Sequence, residues 1–347
     1  TAKGIVNREV IRVITPGTVL DHTMLDETKN NYILSVYGAK SGYGIAICDV
    51  TTGEFQTTEF QTVLAAARIL DEVARFAPAE IVCNSEFREH PVALELEERF
   101  QISLEDIDDR MFYYETAKHT LEEHFHVASL DGFGLGKKQH AVSAAGGLLW
   151  YLLETQKNHL EHISALKYYT IGDFMPLDLS SRRNLELTET MREKNKKGSL
   201  LSVLDDTKTA MGARTLRKWV EQPLVSTAEI CKRLDAVEEL KQDLFLREEI
   251  KDVLRTMYDF ERIMSRVVYQ NANARELVML KNSIENLPEM KKILSRCRSS
   301  YLMELYEKLD PLENICDLIT QAITDDPPFS VREGGMIRAG YSAELDT

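Results

Sequence analysis

Apolar positions recur at two spacings along this chain, and the change from one to the other divides it. In the first third they come in short β-branched and aromatic runs. Tyr32-Ile-Leu-Ser-Val-Tyr37 and Tyr43-Gly-Ile-Ala-Ile-Cys-Asp-Val50 are two such runs, joined by a turn through Lys40-Ser41-Gly42. Asp49-Val-Thr-Thr-Gly53 predicts a second tight turn into Glu54-Phe-Gln-Thr-Thr-Glu-Phe60, so three antiparallel strands form a meander. Val63, Ala66, Ala67, Leu70, Val73 and Ala74 then repeat at helical spacing, and Ala79-Glu-Ile-Val-Cys83, behind Pro78, predicts a short buried strand. The order β-β-β-α-β is that of a mixed α/β domain.

Ala141 to Gln156 is an alanine- and leucine-rich helix that closes this domain, and its Gly146-Gly147 pair permits close approach by a neighbour. Beyond it, helical patterns follow one another to about Thr324. Met211, Thr215, Leu216, Trp219 and Val220 form one stripe, stopped before Pro223, with Trp219 expected in the core. Ser226-Thr-Ala-Glu229 reads as a capping box opening a helix with Ile230, Leu234, Val237 and Leu240 on one face. Ala272 to Leu287 and Glu313 to Thr324 continue the theme. The pattern predicts an α/β domain over residues 1–155 and an all-α domain over 156–347.

Composition agrees with two globular domains: of 347 residues, 44% are hydrophobic and 28% charged. No run reaches the ~18 continuous apolar residues of a membrane-spanning helix, and no secretory hydrophobic region opens the chain. A cytoplasmic protein with no membrane partner is expected. Five cysteines, an odd number without a C-x-x-C pair, disfavour a disulfide framework or a thiolate zinc site and read as small core residues.

The net charge of −14 excludes a global attraction to nucleic acid. Charge is unevenly spread. Residues 54–126 hold 17 acids against 6 basic side chains, whereas 180–220 hold ten basic side chains against five acids. Lys194, Lys196 and Lys197 cluster there before a Gly198-Ser199 turn, and are candidates for weak contacts to DNA phosphates, with a solvated charged turn as the simpler reading.

Other constellations fall short of a catalytic site. Gly132-Phe-Gly-Leu-Gly-Lys137 imitates a phosphate-binding loop, but G-x-x-x-x-G-K-[ST] needs glycine at 131 and a hydroxyl at 138, where the chain has Asp131 and Lys138. His119, His124 and His126 lie beside Glu122 and Glu123 without the H-E-x-x-H spacing of a zinc helix, so a solvated polar face is expected. His159 and His162 read the same way. Asp49 could be the first magnesium ligand of a ribonuclease-H-type nuclease, with Glu54, Asp71 and Glu72 recruited beside it. The simpler reading is that Asp49 caps its turn. No catalytic, cofactor-binding or metal-ligating residue is assigned.

Several segments together resemble the MutS family of bacterial DNA mismatch repair proteins. Arg8-Glu-Val-Ile-Arg-Val-Ile-Thr-Pro-Gly-Thr18 is similar to the start of the family's connector domain. Arg182-Arg-Asn-Leu-Glu-Leu-Thr188, Gly198-Ser-Leu-Leu-Ser-Val-Leu-Asp205 and Thr209-Ala-Met-Gly-Ala-Arg214, with Trp219 and Pro223-Leu224, resemble its lever, or core, domain. Asp259-Phe-Glu-Arg262, Ala272-Asn-Ala-Arg275, Pro327-Pro-Phe-Ser-Val-Arg-Glu-Gly-Gly335 and Ile337-Arg338 complete the pattern in the right order.

The resemblance implies a ribonuclease-H-like connector followed by the first part of a helical lever, within a longer homodimeric protein. That parent would bind mismatched double-stranded DNA, hydrolyse ATP with magnesium and recruit MutL. The chain itself would be non-catalytic, would bind no cofactor, and would couple nucleotide state to DNA gripping while offering MutL a docking surface. The start at Thr1 and the stop after Ser342-Ala-Glu-Leu-Asp346, which reads as the first turn of a helix, agree with an internal segment. A metal-dependent nuclease and a helical protein-binding scaffold are the competing expectations.

Overall fold

In the computed structural model, residues 10, 12–61, 63–157, 160–344 and 346 are described. They form two compact units, one running to Ile171 and including Leu177–Ser181, the other made of Gly172–Pro176 and the residues from Arg182 onward.

In the first unit β1 (Tyr32–Ala39), β2 (Gly42–Asp49) and β3 (Glu54–Phe60) form the expected meander. Helix α1 (Ala65–Phe76) returns the chain so that β4 (Glu80–Cys83) pairs parallel to β1. Helices α2 (Ser85–Arg88) and α3 (Pro91–Phe100) then bring β5 (Leu104–Asp106) parallel to β4. After α4 (Tyr114–His124) and α5 (Gln139–Gln156), the two-residue strand β6 (Lys167–Tyr168) joins the far edge beside β3. The order is β5-β4-β1-β2-β3-β6, with β2 alone running against the others. This is the expected ribonuclease-H-like α/β arrangement.

Strand register sorts side chains onto two unlike faces. Leu34, Val36, Ile45 and Ile47 enter a core with Ile69 and Val73 of α1 and Leu96 of α3. Ser35, Gly44 and Ala46, which alternate with them, face α5. The helix comes so close that a Cβ on Gly44 would lie 1.9 Å from the His140 carbonyl oxygen. Thr57 of β3 donates its hydroxyl to Ala141 O at 2.9 Å, tying down the helix start. Gly146 does what its sequence suggested: a Cβ there would fall 2.4 Å from Cα of Ala117, so it admits α4.

Two expectations change, the buried face of α1 and the placing of two cysteines. On α1 the buried face is Ala65, Ile69, Val73 and Phe76, while Val63 before the helix and Ala66, Ala67 on it are exposed. The larger side chains at i, i+4, i+7 outweigh the alanines in choosing the face. Cys48 and Cys83 are buried, and burial pushes the Cys83 thiol up to about 12. Cys231, by contrast, is exposed and Cys316 only half-buried.

The second unit is helical. A short α6 (Leu179–Asn184), which begins in the first unit and ends in the second, precedes α7 (Leu200–Leu204), α8 (Ala210–Glu221), α9 (Thr227–Gln242), α10 (Leu244–Arg255) and α11 (Phe260–Val268). Helices α12 (Ala274–Ile284), α13 (Leu287–Leu294), α14 (Ser300–Lys308) and α15 (Glu313–Ala322) follow. Two small cores hold them. One gathers Ala236, Leu246, Met290, Ile293, Leu294 and Leu302; the other gathers Ile263, Leu280, Ile284, Leu287 and Ile319.

The stripe expected on α9 is partly bare, with Leu234 57% and Val237 60% exposed, because the helix turns Ala236 inward instead. Ser226 Oγ accepts from Glu229 N–H at 3.4 Å, giving one arm of a capping box. A complete box forms at Asn273 and Glu276, where α12 starts. Near the end of the chain, Ser342 O accepts from Asp346 N–H at 3.1 Å within a turn, not a helix; Leu345 and Thr347 lie outside the described residues.

Trp219 is half-buried, not central. Its ring meets Tyr301 edge-on with centroids 6.3 Å apart, and the Arg233 guanidinium lies 3.7 Å from its centroid. Trp219→Ala should therefore cost about 2 kcal/mol, the sum of one aromatic pair and one cation–π contact, and not the about 3–5 of a fully buried tryptophan. Arg214 is the opposite case. It is buried on α8 and reaches Asp259 through both nitrogens, at 2.7 and 2.8 Å, and Glu261 at 2.6 Å. Arg214→Ala strands those carboxylates and should cost about 3 kcal/mol. Urea melts of both variants should rank Arg214→Ala as the more damaging, and the reverse order would refute this account.

Candidate functional site

Asp49 ends β2 with no exposed surface. One carboxylate oxygen accepts from Thr51 N–H at 2.8 Å and Thr51 Oγ1 at 2.7 Å; the other accepts from Asn30 Nδ2 at 2.7 Å and Asn31 N–H at 3.2 Å. Four donors occupy the lone pairs that a metal would need, and Asp49 closes its turn. The residues recruited beside it are engaged elsewhere. Glu54 accepts from Tyr32 OH at 2.9 Å, and Glu72 from Tyr169 OH at 2.5 Å. Among the described residues no group of three His, Cys, Asp or Glu side chains converges as a metal-binding set would.

The glycine loop is filled from within. Ser129 caps the turn at Asp131 N–H, and the Asp131 carboxylate lies where a Cβ on Gly136 would fall 1.7 Å from its Oδ1. A phosphate would meet that carboxylate. The histidines are not all solvated, as the sequence had suggested. His119 is exposed beside Glu123, but His124 Nε2 bonds Ile163 O at 2.9 Å and His162 Nε2 bonds Val50 O at 2.8 Å. His159 lies outside the described residues.

Of the three candidate phosphate contacts, Lys196 is ion-paired with Asp205 and half-buried. Lys194 and Lys197 are exposed and stand in no ion pair among the described residues. The surrounding basic excess is reduced by acids from outside 180–220, since Arg217 pairs with Glu221 and Arg214 with Asp259 and Glu261.

What the structure builds most firmly is a set of fastenings between segments far apart in sequence. The segments that carried the resemblance meet in pairs. Leu200 and Leu201 N–H donate to Glu186 O and Leu187 O. Arg214 grips Asp259 and Glu261, and Arg275 Nε donates to Pro327 O at 3.0 Å.

In the α/β unit the segment after α5 is likewise tied down. Leu160, Ile163, Leu166 and Tyr169 are buried, β6 pairs with β3, and the Arg75 guanidinium lies against the rings of both Phe76 and Tyr169. At the other end Glu80, buried at the start of β4, accepts from Thr15 Oγ1 at 2.7 Å and Tyr151 OH at 3.4 Å. Burial raises the Glu80 carboxyl above its ordinary value despite those bonds. Sequence reasoning passed over Glu80 and Tyr169. The available signals were an acid inside an Ile-Val-Cys strand and tyrosines in otherwise apolar surroundings.

His124 and His162 give the tethered segment a pH dependence. Burial lowers both imidazoles below their ordinary value of 6.5, outweighing the carbonyl bonds that raise them. The unfolded chain thus takes up protons first, so the histidine contribution to stability is full above about pH 6.5 and is lost as pH falls below it. Between about pH 8 and 5.5 the denaturation midpoint of the α/β unit should decline, and His124→Gln with His162→Gln should flatten the decline. A profile that these substitutions leave unaltered would remove the assignment.

Family models for MutS domain II and MutS domain III match residues 31–164 and 180–346. The DNA mismatch repair protein MutS of Lachnoclostridium phytofermentans is 46% identical over 347 residues, 100% of this chain and 37% of that protein. Proteins of the same name from Ruminiclostridium cellulolyticum and Acetivibrio thermocellus are 46% and 45% identical over 99% of this chain and 39% of their own length. The chain thus spans about two fifths of the length of the curated relatives it matches. Among the described residues no helix is long and apolar enough to cross a membrane. Domain II falls on the α/β unit and domain III on the helical one, in chain order, and the chain belongs to the MutS family of DNA mismatch repair proteins.

Proposed function

We propose that this chain is the non-catalytic connector and lever of a DNA mismatch-recognition ATPase, passing nucleotide state towards the parts that grip DNA. In this reading the whole protein is a cytoplasmic homodimer that binds mismatched duplex and hydrolyses ATP with magnesium. The connector also offers MutL a docking surface, and its acidic excess over residues 54–126 makes that contact salt-dependent.

One observation carries the reading: the segment leaving the α/β unit, from Leu160 to Ile171, is built into the sheet and its helices by the buried residues and bonds described above. A displacement applied there moves a stiff body and is not absorbed by a slack linker, which coupling between distant sites requires. The nuclease alternative meets an Asp49 whose oxygens already accept four hydrogen bonds.

The test grafts this chain into the Lachnoclostridium phytofermentans relative in place of the matching segment. The graft should restore a low mutation frequency to cells lacking their own copy. The chain by itself should bind duplex weakly, lose that binding as salt rises, and treat matched and mismatched duplexes alike. A folded graft carrying Arg214→Ala that restores repair as fully as the unsubstituted graft would contradict the reading. So would mismatch preference in the chain alone.

A further inference from the structure

The segment that brings the chain into the α/β unit is fastened at the end of the helix that its last buried segment follows. On the incoming side, Val13 N–H donates to Thr155 O at 2.7 Å, and Gln156 Nε2 donates to Val13 O at 3.2 Å. Thr15 and Thr18 bond each other across the turn that follows, with Thr15 N–H 2.8 Å from Thr18 Oγ1. This turn is pressed onto the sheet, since a Cβ on Gly17 would fall 2.1 Å from Cγ1 of Ile33. Glu80 then fastens Thr15 to β4 and to Tyr151, one turn before Thr155 on α5. On the outgoing side α5 ends at Gln156, and the buried segment from Leu160 leads through β6 to Tyr169.

We propose that the last turn of α5, with Glu80, is a coupling joint that fastens the incoming segment 12–18 to the helix from which the outgoing segment 160–171 continues. Gln156 and Glu80 are its positioning residues. A shift of either segment reaches the other through α5, in addition to the ladder bonds that β6 of the outgoing segment makes with β3. The use made of the joint rests on the coupling role proposed above; its existence does not. It is a property of this chain that can be measured apart from any repair activity.

Hydrogen exchange on the full chain tests it. Tyr169→Phe removes the hydroxyl donated to Glu72 at the outgoing end. If residues 167–171 are unmoved by that change, Tyr169→Ala opens them. In either variant the Val13 amide should exchange roughly two- to tenfold faster, the size of one lost hydrogen bond. In a Gln156→Leu background Val13 should already exchange fast, and the tyrosine substitution should add nothing. Glu80→Ala should release Val13 and Glu80→Gln, which keeps the acceptor, should retain it. Unchanged protection of Leu34 and Ile45 in the sheet shows that each variant is folded. Faster exchange at 167–171 with Val13 unchanged would overturn the joint while leaving the family's repair role untouched. A failed graft with a responsive Val13 would do the reverse.

Discussion

The close seating of α5 on β2 is the constraint on which the α/β unit depends. A helix can lie this near a sheet only where the facing side chains are small, and Ser35, Gly44 and Ala46 provide that strip between the large residues of the opposite face. Consequences spread from there. With Ala141, Ala144 and Ala145 against the strands, α5 buries Leu148, Leu149 and Leu152 as well and keeps little surface for water. Its Gly146 then admits α4, and its last turn receives the incoming chain. Larger residues on the strip would lift the helix and loosen all three attachments together.

Carboxylates do most of the fastening. Asp49, Glu72 and Glu80 are each buried, which costs several kcal/mol for a charge unless donors replace the lost water. Each has them. Asn30, Asn31 and Thr51 serve Asp49, Arg75 and Tyr169 serve Glu72, and Thr15 and Tyr151 serve Glu80. Because an unpaired partner is so unfavourable, these contacts are specific where purely apolar ones would tolerate slippage. An acid at the end of a ribonuclease-H-like strand suggests catalysis by position alone. Here four donors already fill its two oxygens, and among the described residues no three His, Cys, Asp or Glu side chains gather as a metal set.

How much of this could be read in advance depends on element length. The meander, α1, β4 and α5 announce themselves because each carries enough residues to show a period of two or of 3.6. Strands β5 and β6, of three and two residues, carry no period, and β6 exists only because β3 offers an open edge. The polar helix α4 looked like a solvated face because its buried contacts, Ala117 on Gly146 and His124 on Ile163, are invisible without the partner. Asp49 was legible, since an acid two residues before a threonine caps a turn through local bonds. Lys196 was not, since Asp205 lies nine residues away. Trp219 failed for a different reason: its place on the Met211-Thr215-Trp219 stripe favoured a core site, but the ring is held by a cation and an edge contact at a partly open surface.

The helical unit shows what such fastening achieves when hydrophobic cover is thin. Its two cores are small, and Leu234, Val237 and the 85% exposed Phe245 contribute little to either. Apolar burial alone would leave helices free to slide, because it has no preferred register. Arg214 removes that freedom between α8 and α11, since its planar fork satisfies Asp259 in one geometry only. Arg275 adds a single hydrogen bond between α12 and the chain at Pro327, and Arg338 pins the returning segment to Ile323 O and Asp325. A helix pair locked by a forked guanidinium has few alternative arrangements, each separated from the next by a broken ion pair. Under the coupling role proposed above, discrete arrangements of that kind, more than rigidity as such, let a lever pass on a signal instead of dissipating it.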